Sequence, residues 1–496
     1  MRNVAGSQGA VQPGQTLRFS GLVSRAGLLL LMLALSVLVS GEQRSDVSRA
    51  YPYALSERQR FGFVATSSTW RDDFDVTQLG AGWYMDANPP ACATRPGGMD
   101  RALMIKIRTW LDTAGWFYLD KLIAENPGSL WLVGNEPDCV WQDNLLPEEY
   151  AEIYHDIYWG VKQRDPTALV SPGGIVQPTP LRLEWLDHVL LSYAALDPEH
   201  PLMPVDVWNI HNAILNEGRG EWGADIPPGF DQIDVGVTRT IDDHDRLDIF
   251  EAQIWTFRQW MEDRGYGDKP LMVSEFGILL PVEYGFDLER VNAFMDATFQ
   301  FFANATSPEL GDPNDGNRLV QRWAWFSLDN PPWDINDPQT NMFNGNLFNP
   351  YTTEITGYGL NFATHTSSLP PPDYMDLRPV GIRFEPLMPV LAGETVNRTV
   401  EVEVRNLGSQ DSGLLAVRLE YAGPVSGQLL RTIPNLPAGS SEWIAFELAQ
   451  LSQGAYDISA WVDPDDDVSE VTECDNELEI TMVVPTDVTY LPLVAR

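Results

Sequence analysis

From Arg60 to Asn330, apolar runs of strand length alternate with stretches whose apolar residues recur every three or four positions. This is the pattern of parallel strands joined by crossover helices. Eight runs have strand character: Phe61–Val64, Ala81–Met85, Leu103–Ile107, Leu130–Val133, Ala168–Ser171, Val207–His211, Leu271–Ser274 and Trp323–Phe326. Between the fourth and fifth, Pro147–Lys162 places Tyr150, Ile153, Tyr154, Ile157 and Val161 on one helical face, with proline and acids in its first turn. Eight such units predict an α/β fold, a (β/α)8 barrel.

The pattern breaks at Ser367–Asp373, where three consecutive prolines favour extended chain. Beyond it the apolar period becomes two, in Val400–Val404, Leu415–Tyr421, Trp443–Phe446, Tyr456–Val462 and Leu478–Val483, with Gly, Pro and Asn between the runs. A small antiparallel sandwich follows from that period, and the chain carries no internal repeat. The expected organisation is a leader over 1–41, a linker over 42–57, the barrel over 58–366, a proline-rich linker over 367–377, the sandwich over 378–484 and a tail over 485–496.

The 496 residues suit one large and one small domain. With 70 acidic against 32 basic residues the net charge is −38, which repels phosphate backbones and anionic lipids and argues against nucleic acid as a partner. The 17 tryptophans are core material or flat platforms for sugar rings. At the amino terminus Arg2, Arg18 and Arg25 precede an uncharged stretch, Ala26–Gly41, containing Leu28–Leu33, which reads as an export signal or, alternatively, an N-terminal anchor. The expected location is therefore extracellular or at the cell surface. Three cysteines leave at least one without an intramolecular partner. Cys92 and Cys139 follow strands two and four and are expected on one barrel rim, where they would pair and leave Cys474 free.

Two glutamates close apolar strands, Glu136 in Trp131–Pro137 and Glu275 in Leu271–Gly277. Cleaving a glycosidic bond needs one carboxylic acid for the leaving oxygen and one carboxylate across the sugar, and residues at strand ends of a barrel converge on one cleft. Adjacent residues on a regular strand face opposite ways, so Asn135 and Glu136 both reach a cleft only where the strand loses regularity, which Gly134 and Pro137 permit.

Glu125–Asp138, Pro270–Gly277 and the aromatic eighth strand, as far as Leu347–Asn349 and Gly357–Gly359, resemble the clan A (β/α)8 glycoside hydrolases. That resemblance implies a retaining glycosidase with Glu136 as acid/base, Glu275 as nucleophile and Asn135 on the 2-hydroxyl of the sugar, acting on a poly- or oligosaccharide without a cofactor. Further candidates for substrate contact are His211 at the end of strand six, Trp325 as the platform under the cleaved sugar with Trp323 on the same strand face, and Asp86 and Arg108 closing strands two and three. The last two could instead bond each other. Trp70, Trp141 and Trp333 fall in βα loops, where exposure would mark sugar platforms.

No His-Glu-x-x-His pair, phosphate loop or Gly-x-Ser-x-Gly elbow is present, and no metal site is expected. Asp463–Asp467 fails the EF-hand pattern, with Val468 where glycine and Cys474 where glutamate are needed, and reads as a solvated acidic turn. Residues 378–484 resemble a CARDB-type bacterial immunoglobulin-like module in Val402–Gly408, Leu436–Gly439 and Trp461–Asp465, which implies contact with a cell surface or cell wall. The rival to a secreted hydrolase is a catalytically inactive adhesin or carbohydrate-binding protein.

Overall fold

The structure, a computed structural model, describes residues 55–112, 115–333, 343–384 and 393–485. The export signal and all but the first residue of the carboxy-terminal tail lie outside the described residues, among which no helix is long and apolar enough to cross a membrane.

Eight parallel strands form the barrel: β1 (Phe61–Ala65), β2 (Trp83–Asp86), β3 (Asp100–Ile105), β4 (Leu130–Val133), β5 (Leu169–Pro172), β6 (Trp208–His211), β7 (Leu271–Phe276) and β8 (Arg322–Trp325). They pair in the order β5-β4-β3-β2-β1-β8-β7-β6. A parallel bridge between Ile175 and Ile210 closes the ring, with the His211 N–H donating to the Ile175 carbonyl at 2.9 Å. The helices around it are α1 (Trp70–Asp73), α2 (Ile107–Asp112), α3 (Trp116–Glu125), α4 (Pro147–Arg164), α5 (Pro180–Leu196), α6 (Leu247–Asp263), α7 (Leu288–Asn304) and α8 (Gly357–Thr366). Local chemistry sets where they begin. Pro147 opens α4 and the Glu149 carboxylate takes the Leu146 N–H, while Asp287 and Thr356 accept from the first turns of α7 and α8.

Strand alternation divides the barrel residues between two layers. Trp131, Trp208, Trp323 and Trp325 face the helices; Trp208 packs edge-on against Phe257 and Trp260 of α6, and Trp323 stacks on Phe302 of α7. Trp83 faces inward across Gly62, where a Cβ would come within 2.4 Å of the indole, so only glycine leaves room for this ring inside the barrel.

The connection from β2 to β3 has no α-helix. Residues 87–99 run as an irregular strap pinned by Asn126 at the end of α3, whose side chain accepts the Ala93 N–H at 3.0 Å and donates to the Ala91 carbonyl at 2.7 Å. On this strap docks the second module, two antiparallel sheets. One holds β9 (Leu377–Phe384), β10 (Val396–Asn406) and β13 (Ser441–Leu451) in the order β13-β10-β9. The other holds β11 (Leu415–Ala422), β12 (Gly427–Ile433), β14 (Gly454–Val462) and β15 (Glu477–Val484) in the order β12-β11-β14-β15. Alternate residues such as Val400, Val402 and Val404 of β10, Leu415, Val417 and Leu419 of β11, and Ile458 and Ala460 of β14 are fully buried between them. β9 and β12 are additions to the strands read from the sequence, because exposed or half-exposed residues interrupt their alternation.

The cysteine pairing differs from expectation. Cys92 of the strap is bonded to Cys474 of the β14–β15 loop, with Cα atoms 5.7 Å apart. Cys139, the expected partner, is instead a buried thiol packed with Val176 and Ala224. Rim position alone misled, because the strap leaves the rim and carries Cys92 toward the sandwich. The loop makes further contacts there, the Arg95 N–H donating to Thr472 Oγ1 at 3.3 Å and the Val471 N–H to the Met375 carbonyl at 2.9 Å. Asp463, read as part of a solvated turn, is buried, its carboxylate accepting from Asp467 and Val468.

The folded protein is expected to show no rapidly titrating thiol and to release one, Cys139, on unfolding without reductant. Peptide mapping under non-reducing conditions checks the pairing by linking the Cys92 and Cys474 peptides.

Candidate active site

Both glutamates reach the cleft because their strands depart from regular alternation. β4 ends at Val133, after which Gly134 (φ 88°) and Glu136 (φ 44°) are left-handed. A Cβ on Gly134 would meet Asp143 and Ile107 at 2.6 Å, so the turn is closed to other residues. The turn is held by reciprocal bonds. Asp143 accepts the Asn135 N–H at 2.7 Å and returns its own N–H to the Asn135 carbonyl at 3.4 Å, while the Glu136 N–H donates to the Gly174 carbonyl at 3.1 Å.

On β7 the device is a bulge. Ile210 pairs with Val273 but His211 pairs with Glu275, and toward β8 the register passes from Val273–Trp323 to Phe276–Trp325. Strict alternation would turn Glu275 outward with Val273; the extra residue returns it inward beside His211. The Ser274 N–H displaced by the bulge finds the Asn209 side chain at 3.3 Å.

His211 joins the two carboxylates. Its Nδ1 lies 2.8 Å from Glu136 Oε1 and 3.5 Å from Glu275 Oε2, and the three ligand atoms of the trio all lie within 4.8 Å of one another. Gly174 lets the ring sit there, since a Cβ at that position would come within 2.5 Å of it. Burial draws the imidazolium pKa down, but Glu275 and the hydrogen bond to Glu136 outweigh it and leave the value raised. Burial, aided by the Glu136 charge and opposed by His211, pushes the Glu275 carboxyl up to about 7. Glu275 therefore keeps its proton into the neutral range.

The pair opens into a cleft of about 1120 Å³ whose walls include Lys106, Trp141, Glu221, Trp222, Tyr284 and Trp333. Asn135 lines it too, with a buried Oδ1 that has no hydrogen-bond partner among the described residues. Trp141 is 65% exposed, and Tyr284 packs on Trp333 with ring centroids 5.9 Å apart. Burial pushes the Asp143 carboxyl in the cleft wall up to about 6.

Other expected site residues lie differently. Trp325 is fully buried on the helix-facing layer against Phe276, and its indole donates to the Gly345 carbonyl at 2.7 Å. Phe326, one residue on and of opposite parity, lines the cleft instead. Asp86 is fully buried and paired with Arg71 at 2.6 Å, with Trp70 packed beside it. Arg108 does not close β3 but lies in α2, where it lines the cleft and donates to the Gln142 carbonyl at 2.8 Å. Asp86 and Arg108 are therefore not each other's partners. Asp143, Glu221, Trp222, Tyr284 and Phe326 were not singled out by sequence; Trp222 and Tyr284 carried a signal, an aromatic in a βα loop.

Behind the site sits a fully buried ion triad. Arg182 of α5 bonds Asp138 Oδ2 at 2.6 Å and Glu217 Oε1 at 2.8 Å, and also the Ala224 and Asp225 carbonyls. It ties the β4 turn to the long loop after β6. His244 adds a second tie, Nδ1–H donating to the Ile214 carbonyl and Nε2 accepting from the Leu279 N–H.

No curated protein matches the chain. Residues 385–480 match the CARDB family model. A CARDB domain therefore follows the barrel. Among solved structures, the CARDB domain of a Pyrococcus furiosus protein, solved in complex with di-metal ions, is 24% identical over 23% of this chain and 97% of its own, with a TM-score of 0.20. A Bacteroides uniformis β-glucuronidase is 13% identical over 83% of this chain and 43% of its own, with a TM-score of 0.35. The β-glucuronidase of Faecalibacterium prausnitzii is 13% identical over 62% and 49%, with a TM-score of 0.37. The chain spans less than half the length of either β-glucuronidase.

Replacing Arg182 by methionine leaves Asp138 and Glu217 buried without their cation, and is expected to cost about 3–5 kcal/mol of stability. Denaturant unfolding measures the loss. A triple variant that also makes Asp138→Asn and Glu217→Gln is expected to recover part of it.

Proposed function

We propose that the chain is a glycoside hydrolase that cleaves an O-glycosidic bond of a poly- or oligosaccharide by double displacement with retention of configuration. One observation carries the reading: carboxyl oxygens from the ends of β4 and β7 lie within 4.8 Å of each other in an open cleft. This is near the roughly 5–5.5 Å of retaining pairs and well short of the roughly 6.5–9.5 Å that leaves room for a water in inverting ones. Glu136 protonates the leaving oxygen, and Glu275 attacks the anomeric carbon to form a glycosyl-enzyme. Glu136 then takes a proton from the water that releases the sugar.

His211 holds the two carboxyls at their separation and moves no proton of its own in this scheme. Asn135, with its unpartnered Oδ1 beside Glu136, contacts the sugar 2-hydroxyl. The flat faces of Trp141, Trp222, Tyr284 and Trp333 on the cleft walls suit sugar rings. The CARDB domain serves attachment or presentation at a cell surface, and the protein acts outside the cell.

Proton NMR of the first product from a polysaccharide panel is expected to show the retained anomer. Glu275→Ala should abolish turnover of every substrate, and Glu136→Ala should still cleave aryl glycosides whose leaving group needs no proton. Azide should rescue the latter with retention and the former with inversion. An inverted product from the parent overturns the nucleophile assignment. Sugar binding without turnover of any glycan supports the adhesin reading instead.

The proton that Glu275 keeps to about pH 7 sets the acid limb, because only its carboxylate can attack. The rate constant kcat/KM is therefore expected to rise as pH rises through about 7, where that proton leaves. A rate profile flat from pH 6 to 9 would contradict it.

A further inference from the structure

We propose that Glu136, His211 and Glu275 also form a binding site for a divalent transition-metal ion of the zinc type, and that the ion opposes hydrolysis. The inhibitory half rests on the hydrolase reading; the binding half does not.

The geometry comes from three chain segments that meet at the carboxyl ends of β4, β6 and β7. Zinc bound to imidazole nitrogen and carboxylate oxygen at about 2.0–2.2 Å in a tetrahedron places neighbouring ligand atoms roughly 3.4 Å apart. His211 Nδ1 stands 2.8 Å from Glu136 Oε1 and 3.5 Å from Glu275 Oε2, on either side of that spacing. The remaining pair, the two carboxylate oxygens, lies within 4.8 Å, which rotation of the Glu275 carboxyl toward His211 would shorten. The fourth position faces the cleft, which is also the route of entry.

One nitrogen and two oxygens favour zinc or copper(II) over magnesium and calcium, which prefer larger all-oxygen shells. Nδ1 must be free of hydrogen to ligate, so binding displaces protons from the trio. A bound ion removes both requirements of the reaction at once. It takes the place of the proton on the general acid and occupies the lone pair with which Glu275 would attack.

Zinc chloride titrated calorimetrically into the full chain at neutral pH, in two buffers of different ionisation heat, is expected to show one ion bound per chain with release of protons. Cobalt(II) should give the intense visible bands of a four-coordinate site, and magnesium should give neither signal. His211→Asn and Glu275→Gln should each weaken zinc at least as much as the roughly 10–100-fold lost with outer-shell partners, with Glu221→Gln unchanged as the control in the same cleft. The proposal is overturned if the parent binds no zinc, or if both variants retain the parent's circular dichroism and its affinity. If one variant fails to fold, the other and the parent's cobalt spectrum decide. A protein that hydrolyses glycans in chelator yet binds no zinc overturns this inference alone, and one that binds zinc but hydrolyses nothing overturns only the functional reading.

Discussion

The imidazole of His211 between two carboxylates is the interaction around which the cleft is built. A strand presents every second residue to one side, and neither Glu136 nor Glu275 would meet it if β4 and β7 ran true to that period. The chain meets the requirement in two ways. On β4 the strand stops and a left-handed turn lifts Glu136 onto the rim; on β7 an extra residue shifts the parity of all that follows. The His211 bond to Glu136 and the closure of the ring through Ile175 then fix the two ends against each other.

This arrangement places like charges together in a low-dielectric setting, which would be costly without compensation. The compensation is layered. His211 answers the glutamates, and Arg182 answers Asp138 and Glu217 behind them. Around these, side-chain acceptors such as Asp143 and Gln177 take up backbone N–H groups of the irregular loops. The loop after β6 is thus held by buried polar bonds as well as by the apolar packing of Ile214, Ile226 and Phe230, which suits a segment that lines a wet cleft and keeps its shape. In a chain with 38 negative charges in excess, Arg182 is the fully buried cation that answers Asp138 and Glu217.

The barrel and the sandwich were legible because their periods, near four and two, are written in the apolar residues of long segments. What could not be read was parity and direction at the ends of elements. Trp325 and Phe326 are adjacent aromatics, and nothing in the sequence says which faces the cleft; the structure puts Trp325 among the helices. Arg108 looked like the end of a strand because Ile105, Lys106 and Ile107 continue an apolar alternation, whereas β3 ends at Ile105 and a helix begins two residues later. Asp86 carried no sign of Arg71, its partner in the preceding crossover. The strap was invisible for the same kind of reason: a missing helix leaves only loop-like composition, which says nothing about where the loop travels. Gly134 and Pro137 did signal the break in β4, because backbone freedom and a missing donor are local properties.

The bond between Cys92 and Cys474 encloses 382 residues of sequence separation, yet a third thiol stands far closer to Cys92 along the chain. In an unfolded chain the nearer cysteine is the more frequent encounter, since closing a short loop loses less entropy. The native pairing therefore follows the fold rather than proximity in sequence. Cys139 is sheltered beneath Val176 and Ala224, and burial pushes its thiol away from the reactive thiolate form. The strap cysteine is bonded instead to the loop that precedes the last strand of the sandwich. The covalent link thus ties the strap after β2 to the far end of the sandwich in sequence, so the two modules stay joined even where the chain between them is cut.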